Sequence, residues 1–176
     1  WRDATAYLNR LPDDGRVLIL PGANRTRYRW GYIGDDLFDA LLSQPHVARS
    51  TLPQGTPQAA DLINAIDRYI TGPDYSPGVI GPVLARLGIR WVVLRNDLDW
   101  QQMGAPRPLQ FNGLRSDPDL SAVASFGASG EFTTDPDATG TGAAGVTLRI
   151  EVSSMAGRVA FFMPSPRWKL GFAGLL

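Results

Sequence analysis

Two short stretches of the chain are almost free of polar positions. Residues 16–20 end in Val17-Leu18-Ile19-Leu20, and residues 89–94 read Ile89-Arg90-Trp91-Val92-Val93-Leu94. Runs of this length and composition predict strands buried on both faces. Each follows a helical pattern. Asp3 caps a short helix over 3–9, with Ala6, Tyr7 and Leu11 on its apolar side, and Pro12-Asp13-Asp14-Gly15 makes the turn into the first strand. Before the second strand, a helix starts near Ser76-Pro77 and carries Val79, Ile80, Val83, Leu84 and Leu87. Pro82 kinks it or marks its true first turn, and Gly88 closes it.

The clearest helix lies between them. Thr56 suits the N-cap and Pro57 the first helical position, and Ala59, Leu62, Ile63, Ile66 and Ile70 form one stripe. Asp61 near its start and Arg68 near its end both match the helix dipole, and Gly72-Pro73 ends it. A further short helix is expected over 35–42. Residues 101–119 read as loop, and 122–126 as a strand. Residues 146–152 and 158–162 read as two strands around a turn at 153–157. No internal repeat is found.

Helix–strand units with buried strands predict an α/β fold, with a partly parallel sheet flanked by helices and antiparallel C-terminal edge strands. The expected organisation is an α/β soluble domain over 1–127, a flexible Gly/Ala/Thr-rich loop over 128–145, and a C-terminal strand pair and tail over 146–176 packed on the same domain.

Composition narrows the function. The 176 residues are 44% apolar, enough for one domain with a core. Seventeen basic residues balance seventeen acidic ones, which argues against a nucleic-acid partner or a basic membrane-surface patch. Lys169 is the only lysine, and this Arg-rich, Gly- and Ala-rich usage reflects a GC-rich genome more than a function. With no Cys, thiolate catalysis, zinc-thiolate sites and disulfides are excluded. No apolar run reaches the roughly 18–20 residues that cross a bilayer. The chain opens at Trp1 without an initiator Met and reads as a piece of something larger, with any membrane anchor elsewhere.

Candidate chemistry is sparse. Between residues 25 and 32, Arg25, Arg27 and Arg29 alternate with Thr26, Tyr28 and Trp30, and Tyr32 continues the aromatic row. In an extended segment, period two places arginines on one face and aromatics on the other. Tyr28, Trp30 and Tyr32 could stack on sugar rings while Arg25, Arg27 and Arg29 contact phosphate or carboxylate. The competing reading is a half-buried strand with a solvated Arg face, which is the commoner outcome for such a pattern. Asp97 and Asp99 follow a strand at carboxylate spacing suited to a divalent metal, but Asp is common in such loops, so no metal site is assigned. His46 is the only histidine and cannot build a multi-histidine site. It follows Pro45 in an expected turn, and packing or exposure is its expected role. Neither Gly-x-Gly-x-x-Gly nor Gly-x-x-x-x-Gly-Lys occurs, which argues against a nucleotide cofactor. Asn24-Arg25-Thr26 matches a glycosylation acceptor and is read as chance.

Several patterns occur in a telling order: Val17-Leu18-Ile19-Leu20-Pro21-Gly22, Tyr28-Arg29-Trp30-Gly31, Val47-Ala48-Arg49 through Gly55-Thr56-Pro57, and Leu87-Gly88-Ile89-Arg90-Trp91-Val92-Val93-Leu94-Arg95-Asn96-Asp97-Leu98-Asp99. Over residues 1–127 the chain resembles the extracytoplasmic part of the mycobacterial α-(1→3)-arabinofuranosyltransferases, membrane glycosyltransferases of the GT-C type. The resemblance implies a polyprenyl-phosphate-linked arabinofuranose donor, an arabinan acceptor (arabinogalactan or lipoarabinomannan), and a place on the periplasmic side of the membrane, beside the transmembrane part of the same polypeptide. It implies a catalytic carboxylate between early transmembrane helices, outside this segment, so no catalytic residue is carried over and the chain alone is expected to be inactive. The alternative is a structural scaffold without glycan contact, for which the apolar residues of 168–176 would supply an interface. An independent soluble enzyme is disfavoured by the lack of a nucleophile–base set.

Overall fold

Val17 and Ile19 point to one side of a sheet while Leu18 and Leu20 point to the other, and the two helical layers follow from that division. The computed structural model describes residues 2–23, 25–28, 31–49, 56–127 and 150–155, with backbone only at 31–33, 150 and 151. In chain order these residues form α1 (Arg2–Leu8), β1 (Arg16–Leu20), β2 (Thr26–Tyr28), β3 (Gly31–Gly34), α2 (Leu37–Leu41) and β4 (His46–Ala48). Then come α3 (Pro57–Thr71), α4 (Ile80–Arg86), β5 (Ile89–Arg95), α5 (Trp100–Met103), a 3-10 turn (Pro108–Phe111), α6 (Asn112–Arg115), β6 (Leu120–Phe126) and β7 (Ile150–Met155).

The main sheet has five strands in the order β4-β1-β5-β7-β6. β1 is parallel to β4 and to β5, whereas β7 is antiparallel to both β5 and β6. This is the expected α/β class, with one parallel side and one antiparallel side. β1 leads to β4 on one side through α2. β4 then crosses back over β1 to β5 through α3 and α4 on the opposite face. Opposite directions on opposite faces keep one crossover handedness.

One core layer joins Ala4, Leu8 and Phe38 to Val17, Ile19, Trp91 and Val93. The other joins Ile66, Ile70, Ile80 and Leu84 to Leu18, Leu20, Val92 and Leu94, closed by Phe111 and Leu114. α3 begins as the sequence predicts: the Thr56 hydroxyl accepts from Ala59 N at 3.3 Å, and Pro57 takes the first turn. Gly88, at φ +70, ends the α4 segment in a left-handed conformation that favours glycine.

Three expectations are corrected. His46 lies in a strand, not a turn, because the open edge of β1 supplies its partners; Val17 N donates to Pro45 O at 2.9 Å at the start of that pairing. Residues 101–119 are not plain loop. Asp99 caps α5 through Gln102 N, Gly104 closes it at φ +61, and the 3-10 turn and α6 follow. The C-terminal strand runs through 153–155, where a turn was expected, because Ser153 and Ser154 pair with Val92 and Trp91 of β5. It lies between β5 and β6, so the edge on that side is β6. The expected loop over 128–145, the strand over 158–162 and the apolar tail lie outside the described residues.

Candidate functional site

Open parallel sheets bind ligands beyond the carboxyl ends of their strands, where successive connections leave in opposite directions. Here that point lies between β1, whose chain turns toward β4, and β5, whose chain continues toward β6. Arg95, the last residue of β5, fills it. Its guanidinium is fully buried and donates to Pro21 O through Nε at 3.1 Å and Nη2 at 3.0 Å, and to Asp36 Oδ1 through Nη1 at 2.7 Å. The same Asp36 oxygen accepts from Phe38 N at 3.0 Å and so caps α2. One ion pair thus ties the ends of β1 and β5 to α2, in the helical layer that Trp91 and Val93 also face. The Leu20–Pro21 peptide is cis, and Gly22 follows it. A Cβ on Gly22 would overlap the Cβ and backbone of Arg49, so glycine permits the post-β1 and post-β4 segments to touch.

Beside this plug is a cleft of about 360 Å³. One wall is α3, which presents Asn64, Asp67, Arg68 and Thr71. The others are Arg49, just after β4, and the segment after α5 with Gly104, Ala105, Pro106 and Gln110. Asp67 is 4% exposed, and neither carboxylate oxygen has a hydrogen-bond partner among the described residues. The Asn64 side-chain oxygen, one helical turn earlier, is also buried and unpartnered there. Burial pushes the Asp67 carboxyl up to about 6, while Arg49 and Arg95 pull in the other direction. The sequence reading missed this site. Its signal was the polar set Asn64, Asp67 and Thr71 on a helix also carrying an apolar stripe, but Arg49 and Gln110 join it only through the fold.

The Arg/aromatic stretch forms a hairpin, with β2 and β3 antiparallel. Thr26 and Tyr28 are buried while Arg25 and Arg27 are exposed, so period two holds over residues 25–28. Tyr28 is 2% exposed, and its hydroxyl accepts from Leu37 N at 3.0 Å. It therefore anchors the hairpin and presents no ring face to solvent. Trp30 and Arg29 lie outside the described residues, and Tyr32 is described by backbone alone within β3.

Two sequence motifs meet at this hairpin. Tyr28 bridges Leu98, Asp99 N donates to Arg27 O at 2.8 Å, and the Arg27 guanidinium lies 3.4 Å from Asp99. The carboxylates of Asp97 and Asp99 are divided in their work. Asp97 is fully buried, whereas Asp99 faces Arg27 and caps α5. His46 bonds Asp39 Oδ1 at 2.8 Å and Gln44 O at 3.1 Å, joining α2 to β4. Among the described residues no helix is long and apolar enough to cross a membrane.

The fold and site define a mixed α/β domain whose switch point is closed by its own ion pair, with a polar cleft alongside. Residues 1–164 match the family described as alpha-(1->3)-arabinofuranosyltransferase, N-terminal GT-C domain, and the chain belongs to that family. The match runs well past residue 127, where the resemblance read from the sequence stopped. The chain is 36% identical over 129 residues to an alpha-(1->3)-arabinofuranosyltransferase of Mycolicibacterium smegmatis, covering 72% of this chain and 9% of that protein. It is 32% identical over 133 residues to one of Mycobacterium tuberculosis, covering 73% and 9%. The cryo-EM structure of arabinofuranosyltransferase AftD from Mycobacteria has the same fold, with a TM-score of 0.71 at 23% identity over 89% of this chain and 12% of that one. The chain therefore spans about a tenth of the length of the proteins it matches.

Proposed function

We propose that the polypeptide carrying this chain is a membrane-bound arabinofuranosyltransferase of cell-wall arabinan synthesis, and that this domain supports the glycan acceptor on the periplasmic side. The observation that carries the reading is membership of the family over residues 1–164. The donor is a polyprenyl-phosphate arabinofuranose, and the catalytic carboxylate lies in another part of the polypeptide. The exposed Arg25 and Arg27, with Arg29, Trp30 and Tyr32, remain the proposed glycan contacts of the hairpin. Tyr28 takes the supporting role of fixing that hairpin, because its ring is buried.

A scaffold with no glycan contact is the second reading. One observation favours it: Arg95 and Asp36 occupy the crevice where this type of sheet usually takes its ligand.

The test uses the whole polypeptide in detergent micelles, with labelled polyprenyl-phosphate arabinofuranose and an arabinan oligosaccharide. Transfer of label is expected from the whole polypeptide and not from the 176-residue chain. Absence of transfer by the former sinks the enzymatic reading. Acceptor affinity unchanged in Arg25→Ala, Arg27→Ala and Trp30→Ala favours the scaffold.

A further inference from the structure

Asn64 and Asp67, residues of one wall of the cleft, carry three buried acceptor oxygens that have no donor among the described residues. Buried acceptors left without donors are costly, so their clustering at a cavity marks a place where donors are brought in. Arg49 and Arg68 on the same lining outnumber the Asp67 charge, which disfavours a cation. The three acceptors in turn disfavour an anion, which has no donor to give. The remaining chemistry is a neutral molecule dense in hydroxyls. It would donate to Asn64 and Asp67 and accept from Arg49 and the Gln110 amide. The volume of about 360 Å³ is at the low end of small-molecule sites, which span about 300–1,000 Å³, and suits the end of a short oligosaccharide.

We infer that this cleft is a carbohydrate subsite, with Asn64 and Asp67 as hydroxyl acceptors and Arg49 and Gln110 as donors to a furanose residue. The choice of a furanose rests on the function proposed above; the choice of a neutral polyol does not. These oxygens are buried, so binding at this subsite requires Asn64 and Asp67 to turn toward the cleft by an exchange of side-chain rotamer. Arg25, Arg27 and Arg95 are not among the residues that line the cleft, although the Arg95 charge reaches Asp67.

The test measures, by calorimetry on the whole polypeptide, the affinity for arabinan oligosaccharides of Asn64→Ala, Gln110→Ala and the cleft-filling Ala105→Trp. Thermal unfolding confirms that each is folded. Loss of one hydrogen bond predicts about 2–10-fold weaker binding for each of the first two, and Ala105→Trp should abolish cleft binding. Wild-type affinity in all three variants overturns the subsite, whatever the transfer assay gives. Transfer failing in the wild type while the variants still weaken oligosaccharide binding overturns the enzymatic reading and keeps the subsite. Sensitivity of inorganic phosphate or spermidine binding to the variants, in place of the oligosaccharide, overturns the neutral-polyol assignment.

Discussion

Arg95 and Asp36 meet at 2.7 Å with side chains 0% and 5% exposed, and this pair holds the carboxyl ends of β1 and β5 to the start of α2. Each partner has further work: Arg95 donates to Pro21 O, and Asp36 accepts from Phe38 N. Removing either leaves the other charge buried and unmatched, which typically costs about 3–5 kcal/mol. Asp36→Ala and Arg95→Ala should each lower unfolding stability by that amount in urea. The double variant should cost clearly less than the sum, because no orphaned charge remains. Additive losses would show that the two do not act as a pair.

Asp67 gives the fold a pH dependence of definite sign. Its folded value is about 6 against an ordinary 3.8, so between these values the folded chain holds a proton that the unfolded chain has lost. Its contribution is therefore complete below about pH 4 and is lost as pH rises through about 6. The span of roughly two units corresponds to about 3 kcal/mol. Urea midpoints followed from pH 4 to pH 7 should show this loss in the wild type, and Asp67→Asn should flatten it. An unchanged slope in the variant would assign the titration elsewhere.

The layers of this fold were legible because burial leaves a local trace. The runs at 16–20 and 89–94 and the stripe on α3 reflect one side chain after another meeting the same core. β4 left no such trace: its three residues are each only partly buried, and its strand geometry comes from the edge of β1. The cleft was illegible for a related reason. Arg49, Asp67 and Gln110 are far apart in sequence, and they meet only because α3 packs beside the end of β4 and the 3-10 turn after β5 packs on α3. The hairpin lay between these cases. Its alternation was plain, but which face was buried was decided by contacts to Leu37 and Leu98, and these put Tyr28 inside.

Gly22 is a packing requirement that its local sequence also serves as a turn signal. An added methyl would fall well inside contact distance of the Arg49 Cβ and backbone nitrogen, and backbone cannot swing aside as a flexible side-chain tip can. Gly22→Ala should destabilise by about 1–3 kcal/mol, the usual cost of overpacking. It should also move Arg49 and so weaken ligand binding in the cleft. Gly104→Ala, where no atom lies within 4 Å of the added Cβ, is the comparison: its penalty is the strain of φ +61, and Arg49 should stay in place. Equal displacement of Arg49 in both would refute the steric account.

Asp117 organises the segment between α3 and β6 much as Arg95 organises the strand ends. It is 2% exposed, accepts a hydrogen bond from the Tyr75 hydroxyl, and accepts from Gly78 N and Asp119 N, each at 2.9 Å. The Tyr75 ring lies where a Cβ on Gly113 would be, so the hydroxyl bond and the ring packing fix one position together. Burial, and after it the Asp117 carboxylate, raises the Tyr75 hydroxyl above its ordinary 10.0. The folded chain then keeps a proton that the unfolded chain releases, so stability falls as pH rises past about 10. Tyr75→Phe should cost about 1–2 kcal/mol at neutral pH, since the carboxylate keeps its two backbone donors. The same variant should soften the alkaline loss without abolishing it, because Tyr28 is raised by burial too. Equilibrium unfolding at pH 7 and at pH 10.5 measures both effects. A Tyr75→Phe chain as sensitive to alkali as the wild type would show that the Tyr75 hydroxyl does not carry the titration.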